Sequence, residues 1–435
     1  MTYRLPRAVA LSLATAGTVL LGACAEPPTL DRLESSLAAP PAQADPALSR
    51  SAFGQAVVAS VRKNPRLGRS GASLAEDQAD LLVARSSYVP ELSVGVRQGG
   101  GGGFSLTPFI GLTQIIFDAG GGKARKRAAE ARVLGGRAEQ INAAAEATME
   151  AVTAWAEVVT ARKTLYSTEV TVNELENILS RIEARAAGGA ASETDLLTAR
   201  SRIATERTAV AEARAQLARA EAIYAELFQA SPGPDMQLPP DAPALLNGDL
   251  DHSPLLQQAE AERLAAQSEL AAAKSALLPA IGAQISAEKG GTVTSGLTAE
   301  QTVTPAGPKN ARVAAAEARL QARQIDLDAT RRDVISRLRI IAAEQASAME
   351  RAATASAATE ANLANLAAAS QQFDVAGRSL IELLDAQREA SASERQRLVA
   401  EKDRVLLGYQ ALAVTGDILD LFQIRLEVPS LPARP

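Results

Sequence analysis

Ser87-Tyr88-Val89-Pro90-Glu91-Leu92-Ser93 and Ala276-Leu277-Leu278-Pro279-Ala280-Ile281 decide the fold, because at each a helix must stop and an extended segment begin. Proline lacks a backbone N–H and its ring clashes with the preceding turn, so a helix arriving at it ends there. Pro90 and Pro279 lie 189 positions apart. The same 189 separates Asn64-Pro65 from Ser253-Pro254, where the proline is acceptable in a first helical turn. Gly188-Gly189 followed by Asp195-Leu196-Leu197 returns as Gly377 followed by Glu382-Leu383-Leu384, the acidic positions being 187 apart. Three landmarks in one order at nearly one offset mark a tandem duplication.

Working outward, each half has the same internal order. A helix spans 66–88 in one half and 255–278 in the other. Two β-prone segments follow, 91–98 and 104–117 joined by the glycines of 99–103, then 280–288 and 292–304 joined by Gly290-Gly291. Glycine at the bend with Val, Ile, Thr and Phe beside it predicts hairpins. A long helix comes next, about 122–187 and 308–375, and at 1.5 Å per residue either spans roughly 100 Å. A glycine-marked break leads into a return helix, 192–229 and 379–422. Val152, Trp155, Val159 and Tyr166 form one apolar stripe, and Leu175, Ile178, Leu179 and Ile182 another, at spacings expected of packed helices. The expected organisation is 1–23 signal peptide, 24–46 lipid-anchored tether, 47–230 first repeat, 231–250 Pro-rich linker, 251–422 second repeat and 423–435 C-terminal tail.

Composition agrees with long helices. The 435 residues are rich in Ala, aromatics are 3% and charged residues 22%, which suits helices packed on one another rather than a thick globular core. A net charge of −5, with both signs interspersed, gives no reason to invoke nucleic acid. At the N-terminus, Arg4 and Arg7 precede an apolar run at 8–21 that is too short to span a membrane and fits a secretory signal. Leu21-Gly22-Ala23-Cys24 then resembles a bacterial lipobox, in which Cys24 is acylated and becomes the mature N-terminus. Ala25, rather than aspartate, follows it, so export to the outer membrane is expected. Cys24 is the one cysteine, which excludes an internal disulfide. His252 is the one histidine, beside a helix start, and no G-x-x-x-x-G-K loop is present. The sequence therefore predicts no enzyme: no catalytic residues, no metal site and no cofactor.

A signal, then twice over helix, hairpin, long helix and return helix, resembles the TolC-like family of outer-membrane factors, and the resemblance runs from about residue 45 to 422. Phe117-Asp118-Ala119-Gly120-Gly121 resembles the family's strand-to-helix junction, with Ala128-Ala129-Glu130-Ala131-Arg132 beyond it. The resemblance implies a mainly α protomer with a small β part. Three such tandem-repeat protomers would form a hollow α-barrel in the periplasm below a twelve-stranded transmembrane β-barrel, each chain giving four strands. Physics agrees, since four strands alone leave edges that lipid does not tolerate. Phe104, Phe109 and Phe117 are expected to supply part of an aromatic girdle. The second hairpin has no aromatic residue, and 292–304 reads as polar.

The same resemblance places a gate where the paired helices turn. Glu382 and Asp385 match acidic residues that ring the aperture, Arg378 matches a basic residue holding it shut, and Thr194 and Asp195 match partners of that arginine. Phe373 stands where the family can place a tyrosine of that latch. Glu382 and Asp385 read equally as solvated residues at a helix start. The function implied is a passive exit duct of a tripartite efflux pump or a type I secretion system. Its partners would be two further copies, a periplasmic adaptor, an inner-membrane pump or ABC transporter, and outer-membrane lipid. A periplasmic adaptor and a structural coiled-coil envelope lipoprotein are the alternatives; neither accounts for a duplicated hairpin. The cargo is not written in these residues.

Overall fold

The computed structural model describes residues 29–37, 46–98, 106–189, 191–243, 250–288, 293–300, 308–375 and 379–426. Cys24, Phe104, Arg378 and the glycine bends at 99–103 and 290–291 lie outside the described residues. The chain begins with α1 (Leu30–Leu37), α2 (Pro46–Arg50), α3 (Ala52–Lys63) and α4 (Pro65–Arg85). Strands β1 (Glu91–Gln98) and β2 (Leu106–Phe117) lead into α5 (Gly121–Ala187) and α6 (Glu193–Phe228). The second half repeats this with α7 (Pro254–Ser275), β3 (Ala280–Glu288), β4 (Val293–Glu300), α8 (Pro308–Asp374) and α9 (Leu380–Thr415), then a short α10 (Asp417–Leu421). Both α4 and α7 open on the expected proline, and Asn64 caps α4 by accepting the Arg66 N–H at 2.9 Å.

Helices α5 and α8 each have 67 residues, yet they sit in different surroundings. α5 is central, flanked by α4 and α6 on one side and by α7 and α9 on the other, while α8 packs only beside α7 and α9. The reason is side-chain size. More than half of the buried residues of α5 are Ala or Gly, which lets neighbouring backbones approach closely. A Cβ on Gly135 would meet that of Ala261 at 3.2 Å. α8 instead leaves Ile325, Ile340, Met349 and Leu363 exposed.

Midway along the bundle, Phe53, Trp155, Tyr224, Phe228, Tyr409 and Phe422 form an aromatic core, with Phe53 edge-on to Trp155 at 5.2 Å. The Pro-rich linker is not loose there. Trp155 Nε1 donates to the Gln237 carbonyl at 2.8 Å and Tyr409 Oη to that of Pro240 at 2.9 Å, so residues 231–243 lie across the helices as a strap. The tether is likewise ordered in part. Leu33 and Leu37 of α1 are buried against Ala131 and Ala138 of α5 and Leu264 of α7, although proline and alanine alone suggest a flexible segment. Two further expectations change. Tyr166 is exposed, unlike Val152, Trp155 and Val159 of its stripe. The second return helix breaks at Gly416, whose φ of +85° only glycine adopts freely, and α10 turns Ile418, Leu421 and Phe422 back into the core.

The four strands form one antiparallel sheet in the order β1-β2-β3-β4, so β2 of the first half pairs with β3 of the second. Register sorts the side chains. Leu92 opposes Leu112, Val94 opposes Ile110, Leu112 opposes Ile285 and Ala283 opposes Leu297, all on one face. Ser93, Thr113, Gln284, Thr294 and Glu300 occupy the other face. Val293 and Leu297 thus give the polar-looking β4 an apolar side. Phe109 corrects the girdle expectation: it opposes Gly95 on the polar face, where a Cβ on Gly95 would meet its ring at 2.8 Å.

The junction between β2 and α5 is tied by one carboxylate. Asp118 accepts from Tyr88 Oη at 2.7 Å, from the Gly122 N–H at 2.5 Å and from Arg125 at 3.2 Å. Burial pushes this carboxyl up, but the bonds from Tyr88 and Gly122 and the Arg125 charge outweigh it and hold the group below its ordinary value. Asp118→Ala is expected to lower the stability of this junction by about 1 kcal/mol, as for a lost helix cap. Because the folded value is depressed, the carboxylate's contribution is complete above the ordinary range near 3.8 and lost as pH falls through the folded value. Thermal unfolding of wild type and variant between neutral pH and about pH 3 checks both, with the difference shrinking at the acid end.

Candidate functional site

At the far end of the bundle, α5 turns into α6 and α8 into α9. A small apolar core joins the two turns: Ile178 and Ile182 of α5, Ile203 of α6, Phe373 of α8, and Leu380, Leu383 and Leu384 of α9. Leu383 and Leu384 are among the most completely buried side chains, so the acidic segment at the start of α9 is anchored from beneath.

The residues singled out from sequence divide by position. Thr194 and Asp195 lie in the first turn of α6, where Asp195 closes a capping box: it accepts the Ser192 N–H at 2.9 Å while its own N–H reaches Ser192 Oγ at 3.1 Å. Those bonds from Ser192, backbone first, hold the Asp195 carboxyl below its ordinary value. Glu382 is exposed in the first turn of α9, its N–H bonded to the capping Ser379. Asp385, one turn on, pairs across to Arg202 of α6 at 3.5 Å and along its own helix to Arg388 at 3.5 Å. Half-exposed pairs of this kind contribute less than about 1 kcal/mol. Asp385 is thereby brought to α6, whereas the Asp195 carboxylate is engaged within its own cap. Arg378 lies outside the described residues.

Sequence reading missed the strongest cross-link. The Arg185 guanidinium lies 4.1 Å from the centroid of the Phe373 ring and also donates to the Phe373 carbonyl. Arg181 flanks the ring at 5.9 Å and reaches Ser370 Oγ at 3.4 Å. Phe373 is buried, so this cation–π contact is largely shielded from water, where such contacts are worth up to about 2 kcal/mol. The phenylalanine that lacks a hydroxyl thus joins the two turns with its face. A signal was available: Arg181 and Ser370 are 189 positions apart, the offset of the duplication. Equivalent positions of the two halves thus meet at this end of the bundle. Nearby, buried Gln387 of α9 donates to Glu174 of α5 at 2.7 Å.

Two helix–hairpin–helix units sharing one open-edged sheet, with helices of about 100 Å below it, define a class of fold: the channel protomer that joins an α-barrel to a β-barrel. The family model described as outer membrane efflux protein matches residues 52–227 and 245–414. The chain belongs to that family. No curated protein matches this sequence. Among solved structures, the chain is similar to CusC, described in connection with transmembrane channel formation, with TM-score 0.75, 18% identity and coverage of 83% of this chain and 91% of that one. It is similar to the outer membrane protein VceC of Vibrio cholerae, with TM-score 0.74, 15% identity and coverage of 84% and 96%. The outer membrane channel MtrE of Neisseria gonorrhoeae, in its open state, matches with TM-score 0.72, 17% identity and coverage of 84% and 89%.

Replacing Phe373 by Leu keeps an apolar side chain but removes the ring face under Arg185. Phe373→Leu and Arg185→Ala are each expected to speed amide hydrogen exchange at both helical turns while leaving mid-bundle segments unchanged. In a double-mutant cycle their effects should couple by about 0.5–2 kcal/mol; strictly additive effects would rule the contact out as a tie.

Proposed function

We propose that three copies of this chain form a passive exit duct across the outer membrane and periplasm. The observation that carries this reading is the sheet: β1 and β4 each present an unpaired edge, and one face is apolar from Leu92 to Leu297 while the other is polar. A lone four-stranded sheet cannot satisfy its edges in lipid, whereas several copies closed into one barrel can. Strands of 8 to 12 residues are near the length a tilted membrane strand needs. Three sheets give a twelve-stranded barrel, apolar side outward. The exposed apolar residues of α8 find partners at the same time, against the α4 and α6 flank of the next copy.

The duct belongs to a tripartite efflux pump or a type I secretion system, with a periplasmic adaptor and an energised inner-membrane pump or ABC transporter as partners; the family's description as outer membrane efflux proteins supports an export role. Cys24 carries the acyl anchor. Support comes from α1, which is docked on α5 near the start of that helix; five residues separate Cys24 from Leu30 in the sequence, a chain length of at most roughly 20 Å. At the tip, Glu382 and Asp385 of three chains ring the aperture and favour cations, as charged rings do in other pores. Arg378 with Thr194 and Asp195, joined by the Asp385–Arg202 and Arg185–Phe373 contacts, restrains the closed state.

Electron microscopy of the detergent-extracted, lipid-modified protein should show a threefold hollow cylinder with a helical part roughly 100 Å long. Monomers or solid rods would overturn the duct reading in favour of an adaptor or spacer. In planar bilayers, Glu382→Gln with Asp385→Asn is expected to lower the ratio of cation to anion permeability severalfold; an unchanged ratio would remove both residues from the aperture. Cys24→Ser is expected to abolish the acyl mass increment in intact-mass measurement.

A further inference from the structure

A groove of about 660 Å³ crosses the bundle at the level of the aromatic core, drawing side chains from α4, α5, α6, α7, α8 and α9. Residues from so many helices place it on a broad face, not at a lateral edge. It is the face opposite the strap. Glu146, Glu150, Thr153 and Glu157 recur at helical spacing on the side of α5 turned away from Trp155, the residue that holds the strap. If the duct closes with the strap and α3 outside, the groove on the opposite face lines the lumen.

Its chemistry is of two kinds. Met149, Ile223, Leu227 and Leu255 make an apolar floor, with Ile223 47% exposed. The rim is acidic: Glu146, Glu150, Glu157 and Glu226 stand against Arg66 and Arg337. Arg66 is shared between Glu150 at 2.9 Å and Glu146 at 3.7 Å, Arg337 is held by Asp333 at 2.7 Å, and Glu157 is paired with Lys402 at 2.6 Å, which leaves Glu226 as the carboxylate not offset by a cation. Glu226 forms no ion pair among the described residues. An apolar floor of drug-sized volume under a rim with a surplus carboxylate selects against anions and strongly hydrated ions.

We propose that this groove is a binding site for amphipathic organic cations, the apolar body on Ile223, Leu227 and Met149 and the cationic group beside Glu226 and Glu150. The duct wall then offers its cargo a resting site at the waist, an inference that rests on the duct reading for access but not for binding. The site is weak by construction, because it is open to water and its charges are screened by salt.

Fluorescence polarisation of rhodamine 6G, an aromatic cation, titrated with the purified full chain in detergent tests it, with anionic fluorescein as control. Saturable micromolar binding of the cation alone, weakened by raising the salt, is expected. Glu226→Gln and Ile223→Ser, both at exposed positions, should each weaken it about threefold with unchanged melting temperature. No saturable binding, equal binding of fluorescein, or binding indifferent to both substitutions overturns the proposal. Dye added to single channels in a bilayer separates the two readings. Binding accompanied by current block supports both, whereas binding that obeys the substitutions without block supports the site and counts against the duct.

Discussion

The structure depends on the close approach of α5 to its neighbours along both flanks. Each Ala or Gly there buries little area and contributes little alone, but a helix of 67 residues repeats the contact over its whole length. Small side chains set the separation, and the separation sets how closely α4, α6, α7 and α9 flank α5. Larger residues at Gly135 or Gly136 would force these helices apart. The aromatic core then appears where two helix ends meet at the waist, the place where alanine cannot fill the space. A strap and a short helix bring the missing volume, and Trp155 and Tyr409 bind the strap through its backbone carbonyls.

The duplication gives the protein two unlike ends from one plan. At the sheet end, the halves join through β2 and β3, with β1 and β4 at the outer edges. At the opposite end, the turns join through a small apolar core topped by charge. Arg185 on Phe373 and Arg202 on Asp385 tie one half to the other within a single chain. Contacts of this sort are individually modest. The sheet end differs, because an unpaired strand edge in lipid costs several kcal/mol per group.

Much of this was legible in the residues. Pro65, Pro90, Pro254 and Pro279 mark helix boundaries because proline's geometry is local and needs no knowledge of neighbours. The strands at 91–98 and 280–288 and the long helices follow from the same punctuation, and their limits agree with the observed elements to within a residue or two. Glu382 and Asp385 were read at a helix start for the equally local reason that the helix dipole favours acids there. The misses have one cause. Phe109 read as a girdle residue, and β4 as merely polar, because the face a strand residue occupies depends on register with its partner. Tyr166 and the helical part of the tether were misjudged because each depends on what the fold brings alongside.

By itself, then, the sequence determined the order of elements, their ends and the twofold repetition, all of which arise from backbone chemistry within a few residues. Only the tertiary structure decided that α5 is central while α8 of equal length is not. It alone separated the sheet into an apolar and a polar face, set Arg185 on Phe373, and gathered four glutamates over an apolar floor at the waist. These are juxtapositions of residues far apart in the chain. They are fixed by packing distances and strand register, neither of which any single stretch of residues contains.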